Sequence, residues 1–512
     1  MYKYLLLFLI TFSGLFAQKK PNIVLIISDD HAFQTIGAYN KKKRSETPHI
    51  DRIANEGILF NKAYVTNSIC GPSRACILTG KYSNKNGYTD NETSTYNSNQ
   101  QQFSNILQSA GYQTAWIGKY HLGDNPKGFD FFKILVGQGY YFNPDFIIEG
   151  QKIVREEGYV SNIIENEAEK WLDNRNREKP FCLIIGHKAT HRTWMPDLPD
   201  LGRYETVNFP VPDTFFDNYQ GRIPASEQEM SIGKDMRMEY DLKMFATNPK
   251  DRDSNFNRMN AEQIKAYQEF YTSIEKAFRQ KNLSEKELAL WKYQRYMRDY
   301  MATAHSMDKN IGRLLDYLEK NQLKDNTMVV YLSDQGFYMG EHGWFDKRFM
   351  YEESFRTPMM LSYPKLKQKG VTTEQFVMNI DLAPTFLQLA GIKIPEEMQG
   401  KSLLPLLEKK KATLRKAIFY HYYENGEHAV SPHFGVRTNR YKLIRFYKRY
   451  NGWEFYDLDK DPNELHNCYQ EKGYERIIQQ MKSLLLDEIR DKEDKLAEDI
   501  FFNKEFTEKN HK

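Results

Sequence analysis

Four short apolar segments of the chain end abruptly in polar residues. The segments are NIVLIIS, QTAWIG, FCLIIG and TMVVYLS, and each is followed closely by Asp, Lys or His. Continuous runs of Val, Ile and Leu are typical of parallel strands that are covered on both faces. Helix-prone stretches at 103–110, 162–172 and 300–319 lie between them. The pattern predicts an α/β sandwich with a large, mostly parallel sheet between helices, and ligands of such sheets bind beyond the carboxyl ends of the strands.

Two other regions follow different patterns. Residues 226–292 are polar, charged and helix-prone without a strand signal, so we interpret them as an insertion without a core of its own. After Gly391, the segments KAIFYHYYE, HFGVRTNRYKLIRFY and WEFYDLD predict antiparallel strands, followed by a helix at about 475–491. The sequence therefore predicts a large domain at 18–400 and a smaller C-terminal α+β subdomain at 413–500.

The first 17 residues have the layout of an export signal. One lysine precedes an apolar run, and Ala17 stands before the polar Gln18. The run is shorter than the roughly 20 residues that a membrane-spanning helix needs. We expect a cleaved signal peptide at 1–17 and a periplasmic or secreted protein without an integral membrane span.

Charge and cysteine content exclude two broad classes. The 72 basic and 68 acidic residues give a net charge of +4, and no long basic block suggests binding to nucleic acid. Four cysteines are too few for a disulfide framework in 512 residues.

One cysteine stands in a distinctive motif, Cys70-Gly71-Pro72-Ser73-Arg74. Pro72 favours the start of a helix, and a nucleophile at a helix N-terminus faces backbone N–H groups that attract an anion. Arg74 follows about one helical turn later, where it can support residue 70 or a metal beside it. Cys76 falls on the other side of the turn and is predicted to be a core residue.

Carboxylates follow two of the predicted strands. Asp29 and Asp30 come after the first strand, and Asp334 and Gln335 follow the last of the four. Carboxylate and amide oxygens are ligands that suit Ca²⁺. His31 adjoins them, but an oxygen-rich site has little use for an imidazole.

Basic side chains follow the other strands. Lys119 and His121 stand in GKYHLG, and two residues apart on an extended chain they would point to one side. His187 and His191 stand in HKATHRTWMP, and Lys347 stands in the long segment GEHGWFDKRFMYEE.

Taken together, these motifs resemble the formylglycine-dependent (type I) sulfatases. The segments GPSRACILTGK, WKYQRYMRDY, SDQGF, GEHGWFDKRFMYEE and HYYE are most similar to bacterial N-acetylglucosamine-6-sulfatases. The resemblance covers nearly the whole mature chain. It implies an alkaline-phosphatase-like fold whose catalytic domain is the 18–400 unit. It also implies that a formylglycine-generating maturation enzyme oxidises Cys70 to an aldehyde.

The resemblance further implies a ligand set and a mechanism. One Ca²⁺ per chain would be held by Asp29, Asp30, Asp334, Gln335 and the modified residue 70, although Asn is common where this chain has Gln335. A hydroxyl of the hydrated aldehyde, activated by Ca²⁺ and Asp30, would attack sulfur. The remaining roles would be sulfate binding by Lys119 and Lys347, protonation of the leaving oxygen by His191, and proton removal from the second hydroxyl by His121.

Sugar recognition is assigned by the same resemblance. Asp346 and Arg348, which flank Lys347, would contact sugar hydroxyls, and His428 or His433 would contribute from the C-terminal subdomain. The implied activity is exo-hydrolysis of the 6-O-sulfate of a terminal N-acetylglucosamine during glycosaminoglycan degradation. His187 is a weaker candidate for the site than His191.

Three alternatives remain open on the sequence. The enzyme would act on a different sulfated sugar or polysaccharide if a few pocket residues had changed. A phosphatase or phosphodiesterase of the same superfamily would share the core, although such enzymes typically use Ser or Thr with transition metals. A non-catalytic sulfated-glycan-binding protein would bind the sugar but leave Cys70 unmodified.

Overall fold

The structure is a computed structural model that describes residues 19–40, 47–245, 254–408 and 412–502. The predicted signal peptide at 1–17 lies outside the described residues. Among the helices that the structure describes, none combines the length and apolar character needed to cross a bilayer.

A ten-stranded sheet forms the centre of the molecule. The described strands are β1 Asn22–Ser28, β2 Ile58–Phe60, β3 Ala63–Tyr64, β4 Gln113–Gly118, β5 Phe131–Leu135, β6 Asp145–Ile148, β7 Lys152–Arg155, β8 Phe181–Gly186, β9 Thr327–Ser333, β10 Met359–Ser362, β11 Val371–Thr373, β12 Val377–Met378, β13 Ile418–Tyr422, β14 His433–Arg437, β15 Tyr441–Phe446 and β16 Gly452–Asp457. The order in the large sheet is β11-β2-β10-β9-β1-β8-β4-β5-β6-β7. The four strands predicted from the apolar segments are neighbours in it, and they pair in parallel.

Both faces of the central strands are buried, which explains why their sequences are apolar without alternation. Along β1, Val24 and Ile26 pack into one hydrophobic cluster, whereas Ile23, Leu25 and Ile27 pack into another on the opposite face. Antiparallel strands occur toward the edges of the sheet, where β10 pairs with β9 and β6 pairs with β5. The predicted α/β sandwich is confirmed, with a parallel centre and antiparallel pairs in both flanks.

The described helices cover the two faces and extend into the C-terminal region. They are α1 Pro48–Asn55, α2 Cys70–Thr79, α3 Ser83–Asn86, α4 Phe103–Ser109, α5 Val160–Asn174, α6 Ile223–Glu227, α7 Ala261–Arg279, α8 Glu285–Lys320, α9 Glu352–Phe355, α10 Leu382–Leu389, α11 Leu404–Glu408, α12 Glu475–Asp491 and α13 Lys495–Phe502.

Helix α8 is much longer than the 300–319 stretch predicted from the sequence. It begins after Ser284, which forms a capping box with Glu287, so its first turns belong to the segment that we interpret as an insertion. Tyr267 and Tyr271 of α7 are buried in the same cluster as one face of the main sheet. These side chains of α7 therefore pack on the core of the main sheet, and the insertion at 226–292 stays a prediction.

The C-terminal subdomain has the predicted form. Strands β13 to β16 make a four-stranded antiparallel sheet, and α12 has the bounds expected from the sequence. Its core is continuous with side chains of the main domain, because Trp344, Phe349 and Tyr351 belong to the same buried cluster as Phe434 and Leu485. The segment around residue 347 therefore lies between the two units.

Candidate active site

Carboxylates from two adjacent strands meet at one edge of the sheet. Asp29 and Asp30 follow β1, and Asp334 follows β9, which pairs with β1 in register from Asn22 to Ser28. One oxygen of each carboxylate lies within 4.8 Å of the others, and all three side chains are buried. The sheet thus concentrates three acids in a space where water cannot screen their charges.

The oxygens at this edge fit a hard divalent cation. Asp29 Oδ1 and Gln335 Oε1 are buried without a hydrogen-bond partner. Burial, reinforced by neighbouring carboxylates, raises the pKa of Asp30 to about 7 and that of Asp334 to about 6. Unpartnered buried oxygens and crowded carboxylates are unfavourable unless a cation compensates them. An all-oxygen donor set suits Ca²⁺, and the unpartnered Oε1 of Gln335 would fit such a set.

Cys70 lies beside the carboxylates as the first residue of α2. Its Sγ is 3.3 Å from Lys347 Nζ and 3.8 Å from Gln335 Nε2. It also groups with Asp29 and His191 within 4.8 Å. Burial raises the pKa of the thiol, so the cysteine itself is held as a neutral group.

Arg74 and Ser73 connect α2 to the strand ends. Arg74 Nε is 3.0 Å from Asp334 Oδ2, and Arg74 Nη1 donates to the carbonyl of Lys119 over 2.8 Å. Ser73 Oγ donates to the carbonyl of Asp334 and accepts from Asn379 Nδ2. The helical turn from residue 70 therefore returns Arg74 to the carboxylate edge, as its spacing predicts.

Lys119 and His121 both lie at this edge. The Lys119 ammonium is fully buried and donates to Asp29 Oδ2 and to Gln138 Oε1. His121 has φ +56°, so the chain after Lys119 is not extended as the alternation argument assumed. Its ring is buried beside the charged cluster, where burial and the Lys119 ammonium lower its pKa and Asp29 partly opposes them.

His191 approaches from the segment after β8. Its Nε2 lies 3.9 Å from Asp30 Oδ2, and its side chain is 17% exposed. Its Nδ1 pairs with the carbonyl of Arg192 at 2.8 Å, which assigns the Nδ1 proton and directs Nε2 toward the carboxylates. His187, in contrast, is fully buried and neither ring nitrogen has a hydrogen-bond partner.

The turn at 340–348 delivers Lys347 to the same point. Lys347 Nζ lies 2.6 and 2.8 Å from the two oxygens of Asp30. Asp346 and Arg348 form an ion pair with each other, and His428 Nε2 is 3.3 Å from Asp346 Oδ2. The candidate sugar-binding residues are therefore adjacent, and one of them comes from the C-terminal subdomain.

Three other residues singled out in the sequence are engaged in contacts with the rest of the fold. His433 is buried, and both of its ring nitrogens are bonded to main-chain groups of Met350 and Ser431, so it has no nitrogen left for a sugar. His31 Nδ1 bonds the hydroxyl of Tyr331. Cys76 is buried in a hydrophobic cluster on the other side of α2, as predicted.

Several site residues adopt left-handed backbone conformations that side chains rarely accept. Asp30, His121, Asp346 and Arg348 have φ values of +62°, +56°, +80° and +97°. Such conformations persist only where surrounding contacts impose them, and they concentrate at functional sites. The sequence carries no signal for this feature.

Two side chains at the site were missed by the sequence reasoning. Gln138 bonds Lys119, and Glu424 lies 4.0 Å from Arg348 Nε while accepting from the Tyr422 hydroxyl. Gln138 stands in none of the motifs, whereas Glu424 ends the segment HYYE but was not singled out there. The signal for Gln138 was the glycine on each side of it, which marks a tight turn.

An α/β sandwich that gathers carboxylates, lysines and a helix-borne cysteine at its strand ends defines a class of ester hydrolases. The family model described as Sulfatase matches residues 21–392, and the chain belongs to the sulfatase family. A second model, N-sulphoglucosamine sulphohydrolase, C-terminal, matches residues 340–492. The overlap of the two models covers the turn that carries Lys347.

Relatives at two levels of similarity were found. An N-acetylglucosamine-6-O-sulfatase of Bacteroides thetaiotaomicron is 47% identical over 91% of this chain and 86% of its own length. A solved structure in complex with its substrate D-glucosamine-2-N,6-O-disulfate is 46% identical, with a TM-score of 0.90 over 93% of this chain and 99% of that chain. A phosphonate monoester hydrolase from Silicibacter pomeroyi, 18% identical over 92% of this chain and 96% of that chain with a TM-score of 0.66, shares the fold alone.

Proposed function

We propose that the protein is an exo-acting sulfatase that removes the 6-O-sulfate from a terminal N-acetylglucosamine of sulfated glycans. The observation that carries the proposal is the convergence of Cys70, two lysines and three carboxylates at one buried point. The choice of sugar is supported by the relative that is 47% identical and is named an N-acetylglucosamine-6-O-sulfatase.

Two groups would complete the site. Oxidation of Cys70 to formylglycine by a maturation enzyme would supply a hydrated aldehyde, whose hydroxyl is the nucleophile. One Ca²⁺, held by Asp29, Asp30, Asp334, Gln335 and residue 70, would supply positive charge for the sulfate oxygens. The unpartnered oxygens of Asp29 and Gln335 support this ligand set.

The lysines would bind the anionic group that is transferred. Lys119 follows β4, whereas Lys347 stands on the turn at 340–348. The Lys119 ammonium pairs with Asp29, and the Lys347 ammonium pairs with Asp30. Fixed positive charges in a buried site stabilise the charge that shifts to sulfate oxygens in the transition state. Arg74 would act indirectly, because it bonds Asp334 and the main chain of Lys119 rather than the open side of the site.

The two histidines would move protons. His191 Nε2 faces the cluster and would hold the proton that passes to the departing sugar oxygen. His121, whose buried Nδ1 has no partner, would accept the proton from the second hydroxyl on residue 70. Burial lowers the pKa of both rings, and the neutral form suits His121 as a base. Sulfate bound beside His191 would favour the protonated ring that an acid needs.

Sugar hydroxyls would be recognised by Asp346 and Arg348. His428 would position Asp346 from the C-terminal subdomain, because its Nδ1 bonds the carbonyl of Glu229 and its Nε2 lies 3.3 Å from Asp346 Oδ2. An ion pair presents both donors and acceptors in a fixed arrangement, which suits vicinal hydroxyl groups. His433 is left out of this set because the main chain occupies both of its nitrogens.

The enzyme would act after export to the periplasm or outside the cell. The N-terminal sequence supports export, because one lysine and an apolar run precede Ala17 and the polar Gln18.

The test is sulfate release from N-acetylglucosamine-6-sulfate by protein whose residue 70 has been identified as formylglycine by mass spectrometry. Activity that disappears with a calcium chelator and returns with Ca²⁺ is the expected result. Hydrolysis of N-acetylglucosamine-6-phosphate instead would favour the phosphatase alternative. Binding of the sulfated sugar without release, by protein that retains an unmodified cysteine, would favour the glycan-binding alternative. Full conversion with activity only on another sulfated sugar would replace the substrate.

A further inference from the structure

The turn between β5 and β6 brings an exposed glutamine to a buried lysine. Gly137 and Gly139 have φ values of +55° and +71°, and Gln138 stands between them at the tip. Gln138 is exposed, whereas Lys119 is fully buried, yet Gln138 Oε1 lies 2.5 Å from Lys119 Nζ. The contact therefore crosses from the solvent-facing side of the site to its interior.

The tip is fixed through its main chain on a second side. Lys188, which is buried, donates to the carbonyl of Gln138 over 3.2 Å. Farther along the same connection, the Tyr141 hydroxyl donates to the carbonyl of His191. The turn thus contacts both the segment after β4, which carries Lys119, and the segment after β8, which carries His191. Its backbone position does not depend on the side chain of Gln138.

The hydrogen-bonding capacity of Lys119 leaves room for a substrate oxygen. An ammonium has three N–H donors and no acceptor, so the atom of Gln138 that faces it must be the carbonyl oxygen. Asp29 and Gln138 take two of these donors. Gln138 Nε2 is bonded to the same carbon as Oε1, belongs to an exposed residue, and donates to no group among the described residues.

We propose that Gln138 is a substrate-binding residue that orients the Lys119 ammonium through Oε1 and donates from Nε2 to the sulfate group that Lys119 binds. The proposal rests on the proposed function, since it assigns sulfate to Lys119. It adds a neutral donor to a site otherwise described by lysines and a metal. A neutral amide can hold an anion without attracting the nearby carboxylates as strongly as a third lysine would.

Three substitutions test the role of the Gln138 side chain while the backbone of the turn stays in place. Gln138→Ala removes both amide contacts, Gln138→Asn shortens the side chain, and Gln138→Glu replaces the donor with a carboxylate. Gln280→Ala, at an exposed glutamine that ends α7, is the matched control. Each protein is checked for formylglycine at residue 70 and for its thermal midpoint. The measurements are kcat and KM on N-acetylglucosamine-6-sulfate and the inhibition constant of inorganic sulfate.

We expect Gln138→Ala and Gln138→Asn to lower kcat/KM about tenfold and to weaken sulfate inhibition by a similar factor, as for one lost hydrogen bond to a charged group. Gln138→Glu should lower kcat/KM about 100-fold, because its carboxylate would pair with Lys119 and repel sulfate. The thermal midpoint and the control should not change, since the side chain is exposed and the main-chain anchors remain.

Two results would overturn the inference while leaving the sulfatase activity intact. One is an active parent enzyme whose Gln138→Ala variant keeps kcat/KM and sulfate inhibition within about twofold. The other is an equal loss in all three variants that falls on kcat alone, which would assign the turn a purely structural role. An inactive parent would count against the proposed substrate instead, and sulfate binding measured by calorimetry would still separate Gln138→Glu from the parent.

Discussion

The two halves of the active site are built by different means. In one half, Asp29, Lys119 and Asp334 follow strands of the sheet, so the parallel register places them together. In the other half, Lys347 and Arg348 stand on an irregular turn that belongs to no strand or helix. The first half depends on local pattern and sheet geometry, whereas the second depends on contacts with distant parts of the chain.

Those distant contacts come from a short segment at 214–222, which we call the brace. Thr214 Oγ1 accepts from the His342 N–H at 3.1 Å, and Asp217 Oδ2 pairs with His342 Nδ1 at 2.9 Å. The Tyr219 hydroxyl donates to the carbonyl of His342 and accepts from Trp344 Nε1. The brace therefore fixes the start of the turn whose end carries Lys347.

The largest effect is expected where the two halves meet, at Cys70. Cys70→Ser should abolish multiple turnover, because a serine can accept sulfate but has no second hydroxyl on the same carbon to expel it. The measurement is sulfate release over time at excess substrate. Cys76→Ser is the control, since Cys76 Sγ already lies near Asn86 Nδ2 at 3.3 Å and should tolerate a hydroxyl. Normal turnover by Cys70→Ser would contradict the mechanism.

The strand-end half should fail through its buried ion pair. Arg74→Met leaves Asp334 without its guanidinium partner, and both side chains are fully buried. Removing one member of such a pair costs about 3–5 kcal/mol, so we expect the free energy of unfolding to fall by about that amount. Urea denaturation of the Ca²⁺-free protein measures it, because Ca²⁺ would itself compensate Asp334. Arg74→Lys keeps the charge and should lose less; equal losses would show that packing, rather than charge, is what Arg74 supplies.

Disturbing the turn that carries Lys347 should lower activity with a smaller loss in the free energy of unfolding. Asp217→Asn weakens the bonds to His342 and Arg222, which lie at 2.9 and 2.6 Å. We expect kcat/KM to fall about tenfold with unchanged Ca²⁺ affinity, because Lys347 is displaced while the strand ends are not. Asp213→Asn, at an exposed position just before the brace, is the control. Weaker Ca²⁺ binding in Asp217→Asn would show that the halves are not independent.

Asp217→Asn should also change how the free energy of unfolding depends on pH. Burial opposes ionisation of Asp217, but bonds from His342 and Arg222 prevail and lower its pKa to about 2. A depressed carboxylate pKa adds stability that is present above the unfolded value of about 4 and is lost as pH falls toward 2. Because the Asp217 side chain is only 4% exposed, solvent screens these bonds little, and a pKa lowered from about 4 to about 2 corresponds to about 2–3 kcal/mol. In Asp217→Asn, the unfolding free energy should fall less steeply between pH 4 and 2.

The contrast between the halves also explains what could be predicted from the sequence. The four central strands and the residues after them were predicted because apolar runs covered on both faces are distinctive and the strand ends must coincide. The capping box at Ser284 marks the true start of α8, but it lies inside the polar segment at 226–292, and the predicted helix was therefore too short. The role of Lys347 was predicted only from a long segment that resembles the corresponding segment of the sulfatases.

The brace and Gln138 could not be found in this way. Asp217 and His342 are 125 residues apart, and no periodicity links a surface-like aspartate to a histidine in a glycine-rich turn. The left-handed backbone at Asp346 and Arg348 likewise reflects tertiary contacts rather than local preference. His428 and His433 could not be distinguished until the structure assigned both nitrogens of His433 to the main chain.

The smallest effect is expected at the rim of the turn half, where two glutamates flank Arg348. Glu427 is 55% exposed and Glu424 only 2%, although both lie about 4 Å from the guanidinium, at 3.9 and 4.0 Å. An exposed pair is screened by water, so Glu427→Gln should change kcat/KM less than about twofold. Glu424→Gln should have a several-fold larger effect, because the buried carboxylate holds Arg348 where solvent cannot replace it. Steady-state kinetics at low and high salt compares them. A larger effect at Glu427 would mean that charge at the entrance, and not buried pairing, sets the position of Arg348.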